Sequence, residues 1–290
     1  MKVATSPAAR QKRVAAIHDI SGFGKCSLTV ALPIISAAGM EVSVIPTAVL
    51  STHTGGLTGY TYRDLTEDML PFARHWLTLP IAFDAVYSGF LGSPEQIGIV
   101  REIIGMFRHD GCLVVVDPVM ADDGAMYGVF DRSFAKGMAE LARCADVLVP
   151  NVTEAMFLLG EDYVRGPYEE RYVRDLMRSL ASMGPKKVVV TDVSYEDGTL
   201  GAASYDAYDG GYGYACERRV EGSFHGTGDV FGSVLVSAML RGLGLHEASK
   251  AAVEVTVESI IRTHEAGTDV RFGVNFEGSI PSLLRKLGVI

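Results

Sequence analysis

Leu113-Val114-Val115-Val116-Asp117-Pro118 reads as a β-strand that is apolar on both faces and ends abruptly in an acid. A strand with one wet face alternates apolar and polar residues, whereas an unbroken apolar run is covered on both sides, as in a parallel sheet between two layers of helices. The same pattern extends outward in both directions, with candidate strands at Val14–His18, Val42–Val49, Ala85–Ser88, Val147–Val149 and Lys187–Thr191. Helical patterns fall between them, at Ser27–Ala38, Pro94–Arg108, Phe134–Arg143, Thr153–Leu159, Tyr168–Met183, Thr227–Arg241 and His246–Thr263. Pro94 suits a first helical position and Ser93 can cap it. Strand and helix in alternation predict an α/β fold with a mostly parallel central sheet flanked by helices on both faces. The glycine- and tyrosine-rich segment from Leu200 to Arg219 breaks this rhythm and reads as a hairpin.

The bulk figures set limits on function. The 290 residues are 48% hydrophobic and 21% charged, enough to build one large core. No repeat or linker divides the chain, so residues 14–290 are expected to form one domain, preceded by a flexible polar leader over residues 1–13. A formal charge of -9 and the lack of a Lys/Arg cluster argue against nucleic-acid binding. No apolar run approaches a membrane span, and no secretion signal precedes the first strand. Cys26, Cys112, Cys144 and Cys216 form no C-x-x-C pair, which fits reduced thiols in a cytoplasm.

In open parallel sheets, ligands sit beyond the carboxyl ends of the strands. The residues there are Asp19-Ile20-Ser21-Gly22, Ser51-Thr52-His53-Thr54-Gly55, Gly89, Asp117-Pro118, Asn151-Val152-Thr153-Glu154 and Thr191-Asp192, an unusually polar and glycine-rich set. Phe224-His225-Gly226-Thr227-Gly228-Asp229, which leads directly into an apolar helix, adds a possible anion hole, because amides at a glycine-rich helix start can converge on a phosphate. Asp229 can then take a proton from an attacking hydroxyl, although a plain helix cap by Thr227 or Asp229 accounts for the same four residues. Asp117 and Glu154 offer the hard oxygens that suit Mg²⁺, or merely end a strand and open a helix. His53 and Thr54 can face a polar ring, or form a simple turn. Gly22-Phe23-Gly24 fits neither the Rossmann nor the P-loop template, and no Gly-x-Ser-x-Gly elbow is present.

Taken together and in order, HDISGFGKCSLTVALP, LSTHTGG, YSGFLGS, VVVDPVMADDG, ADVLVPNVTEA, MGPKKVVVTD and FHGTGDVFG resemble the pyridoxal/pyridoxamine kinase group of the ribokinase superfamily over nearly the whole chain. The resemblance implies a ribokinase-like fold and Mg-ATP-dependent phosphorylation of the 5′-hydroxymethyl group of a B6 vitamer. It implies Asp229 as catalytic base, with Gly226, Thr227 and Gly228 as anion hole. Asp117 and Glu154 would organise Mg²⁺ and its waters, while Asn151, Thr191 and Asp122 would face ATP. Asp19, Ser21, His53 and Thr54 would surround the pyridine ring, with Phe90 nearby. A homodimer and a monovalent cation such as K⁺ are further expectations, and the Tyr205–Tyr214 hairpin can be a flap over ATP.

Three departures limit what the resemblance carries over, at the substrate and at the nucleotide. Gly56 stands where the group usually has tyrosine, and Ala121 where it has glycine. Asp19-Ile20-Ser21-Gly22 is as close to the Asp-Pro-Ser-Gly start of hydroxymethylpyrimidine kinases, which makes that activity the alternative. A non-catalytic ligand-binding protein on the same fold is a third reading, and the intact Asp229 speaks against it.

Overall fold

The computed structural model describes residues 10–290. Eleven strands are present among them: β1 (Arg13–Phe23), β2 (Glu41–Thr52), β3 (Tyr62–Asp64), β4 (Ala85–Ser88), β5 (Leu113–Val116), β6 (Ala121–Asp122), β7 (Ala125–Met126), β8 (Val147–Leu148), β9 (Lys187–Val193), β10 (Thr199–Asp206) and β11 (Gly211–Arg218). The helices are α1 (Leu28–Ala37), α2 (Thr66–Trp76), α3 (Pro94–Phe107), α4 (Arg132–Ala142), α5 (Val152–Leu158), α6 (Glu170–Met183), α7 (Thr227–Leu240), α8 (Leu245–Glu265) and α9 (Ile280–Lys286).

Nine strands form one sheet in the order β11-β10-β9-β8-β5-β4-β1-β2-β3. The six from β9 to β2 run parallel, and β3, β10 and β11 add antiparallel edges. Val114 and Val116 of β5 face a core built with α2 to α6, while Val115 faces a second core with α1, α7 and α8. This two-sided burial is why the run carries no polar residue.

Local chemistry sets several helix starts. The Ser93 hydroxyl accepts from the Gln96 amide at 3.3 Å, with Pro94 in the first turn, and Asp131 caps α4 by accepting from Ser133 and Phe134. The start of β1 is tied across the sheet by the buried Asp84, which accepts from the Arg13 amide at 2.8 Å and pairs with Arg10 and Lys12. Residues 1–9 of the expected leader lie outside the described residues.

The sheet corrects one expectation. β10 runs antiparallel to β9, so Asp206 lies opposite Lys187 at the amino end of β9, and Tyr208 in the following turn lies beneath the Lys187 ammonium. The hairpin tip therefore sits at the edge of the sheet opposite the strand ends that carry the polar loops, and it is no flap over a nucleotide bound there. The structure also adds α2, β3 and the small β6–β7 hairpin, none of which the periodicity indicates.

Candidate active site

The carboxyl ends of the parallel strands gather nearly all the residues singled out above. β1 supplies Asp19, buried at the bulge in its pairing with β2 between His18 and Ile20. One carboxylate oxygen accepts from the Ser21 hydroxyl at 3.0 Å and the other from the Ser27 hydroxyl at 2.5 Å. Burial raises the Asp19 carboxyl above the usual range, against these two hydroxyls. Ser21 thus serves Asp19, and Ser27, which the sequence reading passes over, does the same from the start of α1.

His53, past β2, is buried. Its Nδ1 accepts from the Gly55 amide at 3.1 Å, which leaves Nε2 protonated to donate to the Arg271 carbonyl at 2.5 Å. Both nitrogens are therefore engaged within the protein, and the imidazole can offer a ligand only its ring. His225 lies beside it with centroids 5.0 Å apart. Burial, followed by the neighbouring His53, lowers the His225 imidazole, and Asp122 acts the other way. Thr54 is exposed on the same turn. Phe90, just past the end of β4, is half-buried and packed on Phe130 at 5.6 Å.

Asp117 and Glu154 occupy the middle of the site, and both are buried. Glu154 Oε1 accepts from the amides of Met120 and Ala121, while Oε2 accepts from the Asn151 amide at 2.9 Å. Asn151 returns the bond, its Oδ1 accepting from the Glu154 amide at 2.8 Å, and its Nδ2 donates to the Ala121 carbonyl at 2.7 Å. These bonds clamp the start of α5 to the β6–β7 hairpin that carries Asp122. They also use both ends of the Asn151 amide, so Asn151 shapes this corner rather than presenting a free group. Thr191 is bridged to Asn151 through the backbone, and its own amide donates to the Pro150 carbonyl.

Asp117 accepts no side-chain hydrogen bond from the described residues. Burial, then the charges of Glu154 and Asp229, hold its carboxyl well above the usual range. A buried carboxyl that feels two further acids in this way would be relieved by a bound cation. Among the described residues no three acidic, His or Cys side chains converge to cage a metal.

Gly226-Thr227-Gly228-Asp229 opens α7. Gly226 caps the helix in the left-handed region at φ 78°, and a methyl group there would overlap the Lys25 carbonyl oxygen. No side chain caps this helix, and the Thr227 hydroxyl donates backward to the Phe224 carbonyl at 3.2 Å. The plain-cap reading therefore fails, and the first-turn amides keep their donors for an outside acceptor. Gly228 is exposed, with open space where a side chain would project. Burial raises the Asp229 carboxyl to about 7, the value of a base poised near neutral pH.

Tyr127 and Cys26 also reach this site without any signal in the sequence. Burial first, then the charges of Glu154 and Asp122, raise the Tyr127 phenol, and burial first, then Asp229 and Asp19, raise the Cys26 thiol.

A doubly covered parallel sheet, an open glycine-built helix start and facing carboxylates at the strand ends define a phosphotransferase of the ribokinase-like class. Residues 32–273 match the phosphomethylpyrimidine kinase family. A pyridoxine/pyridoxal/pyridoxamine kinase of Bordetella avium is 30% identical over 84% of this chain and 83% of its own length. A Bacteroides thetaiotaomicron protein solved with pyridoxal superposes with a TM-score of 0.90 at 36% identity, covering 94% of this chain and 96% of its own. Pyridoxal kinase from Lactobacillus plantarum gives 0.86 at 29% identity, covering 95% and 98%. The chain belongs to the phosphomethylpyrimidine kinase family and, within its ribokinase-like fold, to the pyridoxal kinase group.

Proposed function

We propose that this chain transfers the γ-phosphoryl group of ATP to the 5′-hydroxymethyl oxygen of a B6 vitamer, with residues 14–290 acting as one kinase domain. The observation that carries this reading is the uncapped first turn of α7, which offers open amides and Asp229 together in the field of Asp117. Asp229 accepts the hydroxyl proton as oxygen attacks phosphorus. The amides of Gly226, Thr227 and Gly228 then meet the charge on the transferred group. Asp117 would hold Mg²⁺, and Glu154 would steady the loop over it. The ion, when bound, offsets phosphate charge. Thr191 and Asp122 border the nucleotide, and Asn151 fixes the Asp122 hairpin there. Asp19, Ser21, His53 and Thr54 border the vitamer ring, with Phe90 at the margin.

Three finer points belong to the same proposal. The chain works as a homodimer, for which the exposed Phe23, Val49 and Tyr62 near the β3 edge offer apolar surface. It works in the cytoplasm, in keeping with four free cysteines. A monovalent cation such as K⁺ assists, in keeping with the surplus of carboxylates. Hydroxymethylpyrimidine is the second candidate substrate, favoured by Asp19-Ile20-Ser21-Gly22 and by the family match.

A coupled ADP-release assay with Mg-ATP tests the reading, with each vitamer, hydroxymethylpyrimidine and ribose as acceptors, with and without K⁺. Turnover of a vitamer that Asp229→Asn abolishes is the expected result. Faster turnover of the pyrimidine replaces the substrate, and pyridoxal binding without any product replaces the enzyme with a carrier.

A further inference from the structure

Tyr87, on β4, is fully buried, and among the described residues only the Ser233 hydroxyl of α7 lies near enough to act on its hydroxyl, in no well-formed hydrogen bond. Phenylalanine would fill nearly the same volume without stranding a polar group away from water. The surroundings compound the oddity. The phenol oxygen rests against α7 at Gly232, where a methyl group would overlap it. The helix thus carries an interior glycine, which weakens helices, at the point where the phenol arrives.

Gly232 belongs to the turn that follows Asp229. Ser233, beside it, is also buried, its hydroxyl set against the phenol without a well-formed hydrogen bond. Both ring nitrogens of His18 are likewise buried without a well-formed hydrogen bond, and its ring meets that of Tyr87 edge-on at 4.4 Å. Burial lowers the His18 imidazole to about 3, so it is neutral under working conditions. Burial, then the charges of Asp117 and Asp229, raise the Tyr87 phenol well above its usual value, so it keeps its proton. Two sequence choices, a tyrosine and a helix-interior glycine, thus place an uncharged O–H within the field of the candidate base and the candidate metal ligand.

We infer that Tyr87 is a positioning residue of the phosphoryl-transfer site: its hydroxyl, lodged against Gly232, fixes the turn of α7 that carries Asp229. This rests on the role given above to Asp229.

The test compares wild type, Tyr87→Phe, Gly232→Ala and the double variant in steady-state kinetics and thermal unfolding. Tyr87→Phe is expected to unfold at the same or a higher temperature, because it removes a stranded hydroxyl, while kcat falls about tenfold and both KM values stay within about twofold. Gly232→Ala is expected to lower kcat about 10²-fold by displacing the turn. The double variant should recover part of that loss, because the overlapping oxygen is gone. Wild-type kcat in Tyr87→Phe would overturn the inference. So would a kcat loss matched by a lower unfolding temperature with no recovery in the double variant, since that pattern belongs to packing alone. If wild type turns over only the pyrimidine, the vitamer reading falls, and the four proteins are compared on that acceptor with the same criteria.

Discussion

Asn151 and Glu154 hold each other across the first turn of α5: the Asn151 amide donates to Glu154 Oε2 at 2.9 Å, and the Glu154 amide donates to Asn151 Oδ1 at 2.8 Å. The other Glu154 oxygen reaches across to the amides of Met120 and Ala121. One carboxylate thus joins a helix start to the loop that follows β5, and it needs two acceptor oxygens to do so.

Glu154→Gln replaces one acceptor with an NH₂ that faces a backbone N–H. The expected cost is about 1–3 kcal/mol of stability, with KM for Mg-ATP raised and KM for the vitamer nearly unchanged. Urea unfolding together with separate titrations of the two substrates checks this.

Asp229→Asn keeps the shape of the side chain and removes its basicity. It should lower kcat about 10³-fold and leave the unfolding temperature equal or higher, because a carboxyl that resists ionisation is gone. Steady-state kinetics beside calorimetry reads both.

The raised Asp229 carboxyl sets a pH limb. The base works ionised, so kcat/KM should rise with pH through about 7 and level off above. Finding the same limb with pyridoxine and with pyridoxal assigns it to the enzyme, because the two substrates ionise differently.

The two glycines of the α7 start should respond in opposite ways. Gly226→Ala must take a left-handed conformation against the Lys25 carbonyl, at a cost of about 1–3 kcal/mol, with activity lost. Gly228→Ala meets open space and should unfold at an equal or higher temperature, yet its methyl stands in the path to the first-turn amides and should raise KM for ATP or lower kcat. Kinetics and thermal unfolding of both variants decide this.

Asp117 and Asp229 have folded-state carboxyls raised by burial, so the folded protein binds more protons than the unfolded chain. Without Mg²⁺, stability should therefore fall as pH rises from the ordinary carboxylate range, near 4, through about 7. Added Mg-ADP should restore much of it at pH 8 by supplying the missing positive charge. Unfolding midpoints across pH, with and without Mg-ADP, measure the effect.

Much of the fold is legible in the chain because its strands are short, β-branched and covered on both faces, as in Leu113–Val116. Asp19, Asp117 and Glu154 are legible because each closely follows such a run. Other features are set by tertiary geometry. Thr66–Trp76 hides as a helix because Pro71 interrupts a stretch of mixed polarity, and two-residue strands such as Ala121–Asp122 have no period to read. The direction of the Tyr205–Tyr214 hairpin follows from its pairing with β9, which composition does not encode. Ser27 reaches Asp19, and His225 reaches His53, only once the sheet has formed.

The site draws on the first strand for Asp19 and on the seventh helix for Asp229, with the remaining strand ends between them. Loop closures of such length are slow to form, and nothing local holds these groups together beforehand. During synthesis the chain therefore has no working centre until α7 has left the ribosome and packed. In refolding, phosphoryl transfer should return later than the helical signal, which makes turnover a strict reporter of the completed fold.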